Sequence, residues 1–229
     1  MRFFLLTLFF VCSCFAESAF PKVQGNLLHL KKENSPYVLN ETFLLAKKDT
    51  LKIDAGVEVR MGSFAKLLIN GTAFILGNTK EPVRFVALDS LESWNGIHFL
   101  SGNNPFTIKN LIVEKAFRNT ISETGGVIEN SKFIDNYYGL WIYSSLVVLK
   151  NCSFERNRFA ISANASTISS ENLSVTKNIF GLFLEGNSKF EGSENGIREN
   201  MESDIREGSV ATNKERIPLS VWKRLEASF

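Results

Sequence analysis

The apolar positions of this chain alternate with polar ones inside short runs, and the runs recur at a fixed distance. NSKFIDN at Asn130–Asn136 returns as NCSFERN at Asn151–Asn157 and as NLSVTKN at Asn172–Asn178. Phe133, Phe154 and Val175 keep a step of 21 residues, and so do Asn136, Asn157 and Asn178. A further copy, ENGIREN, sets Ile197 and Asn200 at a step of 22, while a weaker one, NLIVEKA, brings Asn110 and Val113 ahead of the first. Alternation is the strand period of two, because successive side chains of a strand point to opposite faces. A constant period built from strands predicts a stacked solenoid in which one period is one coil.

Aligned copies make columns. Ser131, Cys152 and Leu173, then Phe133, Phe154 and Val175, are expected to point inward, with Lys132, Ser153 and Ser174 outward. The next strand supplies Leu140, Ile161 and Leu182, then Ile142, Ala163 and Leu184, as inward columns. Gly139, Ala160 and Gly181 precede them, as small residues do where a chain turns a tight corner. Asn130, Asn136, Asn151, Asn157, Asn172, Asn178 and Asn200 are expected to form a structural ladder at the repeated turns. Asparagine tolerates left-handed backbone geometry, and its amide can bond to the coils above and below.

With these columns and a second region upstream, the chain resembles the right-handed parallel β-helix proteins of the pectin-lyase-like superfold, in particular its secreted bacterial repeat proteins. The repeat block Gly125–Asn200 carries one part of the likeness. The other is the succession TLKIDAGVEVRM, LLINGTAFILGN, PVRF and WNGIHF, similar in order to the first coils of such proteins. The resemblance runs from Ser35 to Asn200. It implies an all-β, right-handed parallel β-helix with coils of about 21 residues. Both ends would be capped, because an uncovered sheet edge pairs with other chains. It implies little about function, since the superfold hosts lyases, hydrolases, adhesins and spacers alike.

At 229 residues the continuous repeat predicts one domain. Residues 1–16, MRFFLLTLFFVCSCFA, have the plan of a secretory signal peptide, with cleavage expected after Ala16. A rival reading takes Val11–Cys14 as similar to a bacterial lipobox and places a lipid anchor on Cys14. The first reading makes the protein secreted or periplasmic; the second makes it an outer-membrane or cell-surface lipoprotein. No transmembrane span is expected. Residues 17–34 are expected to cap the first coil, 35–200 to form the β-helix, and 201–229 to form a polar loop and a capping helix. That helix would start behind Pro218 and set Leu219, Trp222, Leu225 and Phe229 at helical spacings. It is expected to cover the last coil, or alternatively to dock a protein partner. Without the leader, Cys152 is the one remaining cysteine, read as a small buried hydrophobe.

Charge and chemistry narrow the picture further. A net charge of +2 with interleaved signs excludes a nucleic-acid partner. An acidic-polysaccharide enzyme would need carboxylates gathered on calcium beside a base, or two carboxylates at a fixed distance. The outward positions of the second strand read Trp141, Ser162, Phe183 and Tyr143, Asn164, Glu185, with His98 and Ser122 aligned earlier. Glu185 is the single acid there, so no catalytic residue is assigned. His29 and His98 lack any zinc-ligand spacing, so no metal or cofactor is assigned either. His98 is expected at the surface. Trp141, Tyr143 and Phe183, with Glu185 and His98, form the candidate ligand-binding face, since exposed aromatics stack on sugar rings. The competing expectation is a loop such as Ser101–Asn104, or the N-terminal segment, lying over them as a satellite core. Five glycosylation sequons, at Asn40, Asn70, Asn151, Asn164 and Asn172, read as incidental in so asparagine-rich a chain. The preferred function is an exported, non-catalytic β-helix module acting as a structural, adhesive or carbohydrate-binding surface element toward a polysaccharide or cell-envelope component. The alternative is a small lyase or hydrolase of acidic polysaccharides.

Overall fold

The computed structural model describes residues 17–208, apart from 91, 101–103 and 194. The chain winds into a parallel β-solenoid of three sheets with nine, eight and eight strands, about eight coils in all. Each coil passes through sheet 1, then sheet 2, then sheet 3. In the regular part these are Lys132–Ile134, Tyr138–Tyr143 and Leu146–Lys150, then Ser153–Glu155, Phe159–Asn164 and Thr167–Glu171. The expected all-β architecture and its register are the observed ones. Phe133 pairs with Phe154, Phe154 with Val175 and Val175 with Ile197, at steps of 21, 21 and 22 residues.

All twelve residues assigned inward are buried, none more than 7% exposed. In-register parallel strands bring equivalent side chains one strand spacing apart, about 4.8 Å. The Phe133 and Phe154 rings therefore stack with centroids 4.8 Å apart and planes 5° from parallel. Upstream the coils are less even, and 33 residues separate the paired Ala73 and Phe106. WNGIHF restores the winding there. Trp94 is wholly buried, donates from Nε1 to the Glu114 carbonyl at 2.8 Å, and lies over Phe85 with centroids 6.3 Å apart. Gly96 has φ +141°, and a Cβ there would meet the Arg118 carbonyl oxygen at 1.9 Å, so no other residue fits.

The corners divide the asparagines into two sets. Asn130, Asn151 and Asn172, between sheets 3 and 1, hold the left-handed backbone, each with φ 51°. They are exposed, and Asn172 Nδ2 donates to Asn151 Oδ1 at 2.9 Å. At the corner between sheets 1 and 2 the left-handed residues are instead Asp135, Arg156, Lys177 and Glu199. The asparagine that follows each turns inward. Asn136, Asn157 and Asn178 each donate from Nδ2 to the Oδ1 of the next coil's asparagine, at 2.9, 3.0 and 2.9 Å. The single ladder expected from the sequence is therefore two, because left-handed geometry and inward amide bonding fall to different residues. A third ladder, of serines, joins sheets 2 and 3: Ser145 N donates to Ser166 Oγ and Ser166 N to Ser188 Oγ, both at 3.1 Å.

Gly139, expected at a turn, lies inside the strand Tyr138–Tyr143 at a register shift against Arg118–Ser122. Its backbone approach explains the small side chain: a Cβ would meet the Ala160 carbonyl oxygen at 2.5 Å and Phe154 Cδ1 at 2.9 Å. Asn119 serves the same shift by donating from Nδ2 to the carbonyls of Tyr138 and Gly139, at 3.4 and 3.2 Å.

Ser18–Ala19 and Leu27–Leu30 are strands of sheets 1 and 3 at one end of the stack. At the other end Ser203–Glu207, in a stretch expected to be loop, is the last strand of sheet 2, pairing Ile205 with Leu182 through the backbone. The signal peptide with Cys14, and the helix expected behind Pro218, lie outside the described residues. Among the described residues no helix is long and apolar enough to cross a membrane.

Cys152 is sealed inside the coil, with Sγ 3.3 Å from the carbonyls of Ile128 and Lys150. Burial pushes its thiol up to about 11 from 9.0. Raising an acid's pKa by two units cuts its thiolate about a hundredfold at pH 8, and the thiolate is the nucleophile. In the folded protein Cys152 should alkylate at least about a hundredfold more slowly than in denaturant, as read by mass spectrometry after iodoacetamide. Equal rates would show that the thiol is accessible.

Candidate ligand-binding face

Sheets 1 and 3 carry paired charges outward. On sheet 1, Arg60 meets Glu17 and Glu58 at 2.5 and 2.8 Å, and Arg84 meets Glu114 at 3.2 Å. On sheet 3, Lys109 meets Glu129 at 3.0 Å. Each such exposed pair adds little stability, about 0–1 kcal/mol. Together they keep these faces hydrated, whereas sheet 2 presents a different surface.

The register of sheet 2 aligns His98, Thr120, Trp141, Ser162, Phe183 and Arg206 on successive strands. Two residues along lie Ser122, Tyr143, Asn164 and Glu185. All point away from the coil, as the alternation predicts, but they differ in exposure. His98 and Phe183 are only 3% and 2% exposed, against 39% for Tyr143. The expectation that His98 is a surface residue and Phe183 a free stacking surface is thus corrected. Outward direction follows from the strand period, but exposure depends on what lies over the sheet.

His98 Nδ1 lies 3.0 Å from Thr120 Oγ1. Burial, reinforced by the nearby Arg118 and Lys66 charges, holds its pKa down at about 3. The ring is therefore neutral at ordinary pH and brings no positive charge to the face. Phe183 packs edge-on against Phe159 with centroids 6.3 Å apart, and the Arg206 guanidinium stands 5.9 Å from its ring centre.

Trp141 is half-buried and parallel to Tyr143, with centroids 6.0 Å apart and planes 8° from parallel. The Arg118 guanidinium lies 5.0 Å from the indole centre, a cation–π contact that fixes the ring. Arg118 was missed in the sequence reading. Its trace is a change of step: Arg118 pairs with Tyr138 at 20 residues, while Thr120 pairs with Trp141 at 21. The extra residue lies in Tyr138–Tyr143, between Tyr138 and Trp141.

The structure therefore brings Trp141, Tyr143, Asn164 and Glu185 together along the open edge of sheet 2, with Ser122 beside them, and leaves His98 and Phe183 out. Hydroxyl, phenol, amide and carboxylate stand about one strand spacing apart, about 4.8 Å. Glu185 is half-buried and is the one acid in its column. Among the described residues no group of three His, Cys, Asp or Glu side chains is placed to hold a metal ion. Compared with protein-family models, curated proteins and solved structures, the chain matches none.

Proposed function

We propose that this chain is an exported, non-catalytic β-helix module that binds a carbohydrate chain along the open edge of sheet 2. Tyr143 acts as the stacking platform, Trp141 backs it, and Ser122, Asn164 and Glu185 supply hydrogen bonds. The observation that carries this reading is the column itself: one exposed aromatic ring flanked on adjacent strands by polar side chains. Sugar rings offer apolar C–H faces to an aromatic plane and hydroxyls to its polar neighbours. The column's repeat is close to the length of one hexose unit in an extended polymer. Because the side chains stand on hydrogen-bonded strands, binding orders little of the protein. A single carboxylate suits an acceptor role, since hydrolysis of a glycosidic bond requires two. The leader-like residues 1–16 support export.

Retention of the purified protein on a panel of immobilised polysaccharides, with and without calcium, tests the reading. Retention without released unsaturated sugar is expected, weakened about tenfold in Tyr143→Ala, as befits a stacking contact of about 1.4 kcal/mol. Release of product would make the chain an enzyme. Retention unaffected by Tyr143→Ala would remove the proposed site.

A further inference from the structure

Three columns of side chains point outward from sheet 3. The charges that hydrate it stand in the last column, where Lys109, Glu129, Lys150 and Glu171 alternate in sign on four successive strands. Beside them the middle of the face is apolar. Val127 pairs with Val148 in the central column, and Phe74, two strands before Val127, is 39% exposed. In the first column Leu146 is 61% exposed, and its neighbour on the preceding strand is Gly125, which has no side chain. None of these residues belongs to the apolar cluster that fills the coil.

We infer that two copies of this chain associate face to face through sheet 3, about a two-fold axis that runs along the strands, midway between Gly125–Glu129 and Leu146–Lys150. The order of the charges carries the argument. A contact of this symmetry must be self-complementary, and an axis along the strands reverses the order of the coils while each column meets itself. Read backwards, Lys109, Glu129, Lys150 and Glu171 give the same alternation with the signs exchanged. Glu129 therefore faces Lys150 of the second copy and Lys109 faces Glu171 of the second copy. Within one chain Lys109 lies 3.0 Å from Glu129 and Lys150 lies 3.8 Å from Glu171, so each charge gains a second unlike neighbour. Moving the axis onto either strand opposes like charges, since Glu129 or Lys150 would then meet its own equivalent. Opposed charges fix the register of such a contact more than its strength.

The apolar positions obey the same axis. Val127 meets Val148, the exposed Leu146 comes over the bare backbone of Gly125, and Phe74 comes over the hollow lined by Val148, Ser169 and Glu191. Aligned packing of two sheet faces is the ordinary arrangement of a β-sandwich. The six strands from Thr72–Leu76 to Lys189–Ser193, about 4.8 Å apart and about 16 Å long, cover roughly 500 Å² on each copy. The total of about 1,000 Å² is the small end of a specific interface, so the dimer is a weak one. Sheet 2 lies on another side of the coil, and the inference is independent of carbohydrate binding.

Sedimentation of the purified protein over a range of concentrations reads the association. A monomer–dimer equilibrium with half-dissociation at roughly 1–100 µM is expected, as suits an interface of this size. Leu146→Lys, at an exposed position outside the core, should weaken it at least about tenfold while the denaturation midpoint stays where it was. Lys150→Glu and Glu129→Lys should each weaken it about tenfold, and the two together should restore it, because the double exchange re-creates the facing pair. A single species of one chain's mass at roughly 300 µM, above that range, would overturn the inference. So would assembly beyond two copies, a dimer that Leu146→Lys leaves unchanged, or a double charge exchange that fails to restore association.

Discussion

Asn157→Ala lowers the unfolding free energy by on the order of 4 kcal/mol. In the native chain Asn157 Oδ1 accepts from both Asn136 N and Asn136 Nδ2, at 3.0 and 2.9 Å. Its Nδ2 donates to the Phe133 carbonyl and to Asn178 Oδ1, at 2.9 and 3.0 Å. Truncation leaves the buried Asn136 N without its side-chain acceptor, at about 1–3 kcal/mol, and removes one bond each from the Phe133 carbonyl, from Asn136 Nδ2, which keeps the Val113 carbonyl, and from Asn178 Oδ1, which keeps Asn157 N, at about 1 kcal/mol apiece. Asn172→Ala is the control. It has the same 21-residue spacing but is exposed, so its loss is about 1 kcal/mol, mainly from placing alanine at a left-handed φ of 51°. Denaturant midpoints at unchanged slope read the difference. Equal shifts for the two variants would show that the inner ladder has no special standing.

Phe154→Ala costs about 3–5 kcal/mol, the usual range for emptying a core aromatic site. Phe154 is fully buried and stacked on Phe133 with centroids 4.8 Å apart, so the vacated volume lies in the middle of the stack. Its spatial pattern is as informative as its size. Coils of a solenoid touch only their neighbours, so damage stays local. Amide exchange should quicken in Lys132–Ile134 and Ser174–Thr176, the paired strands on either side, while Thr50–Asp54 near the other end keeps its protection. Uniform acceleration along the chain would mean that the whole stack unfolds as one unit.

How much of this was legible in the sequence depends on what a period of 21 encodes. It fixes which residues stack and, with strand alternation, which side of a sheet each takes; the inward columns from Ser131 to Leu184 follow from that alone. It cannot separate Asn130 from Asn136, because both recur at the same step and differ only in backbone angle and direction. Ser145, Ser166 and Ser188 recur too, but serine at a turn is so ordinary that the ladder did not stand out. Gly139 looked like a corner because the one-residue shift in its strand shows only when that strand is paired with Arg118–Ser122. His98 and Phe183 show the firmest limit: alternation placed them outward, but it carries no information about what covers an outer face. The same limit hid Arg118, whose guanidinium lies against Trp141 on that outer face.

The corners have one more implication. Two vertices of the coil are closed by a left-handed residue followed by a side chain that bonds to its equivalent in the next coil, and at the third the left-handed asparagine itself repeats, so one coil ends and the next begins in chemically similar surroundings. Height in such a molecule is counted rather than continuous. Removing or duplicating a block of 21 residues between equivalent asparagines, such as Asn136 and Asn157, would shorten or lengthen the rod by one strand spacing, about 4.8 Å. The same kinds of contact would re-form across the join. The fold is thus a ruler with a fixed graduation, able to set the distance between whatever is attached at its two ends by the number of repeats its gene carries.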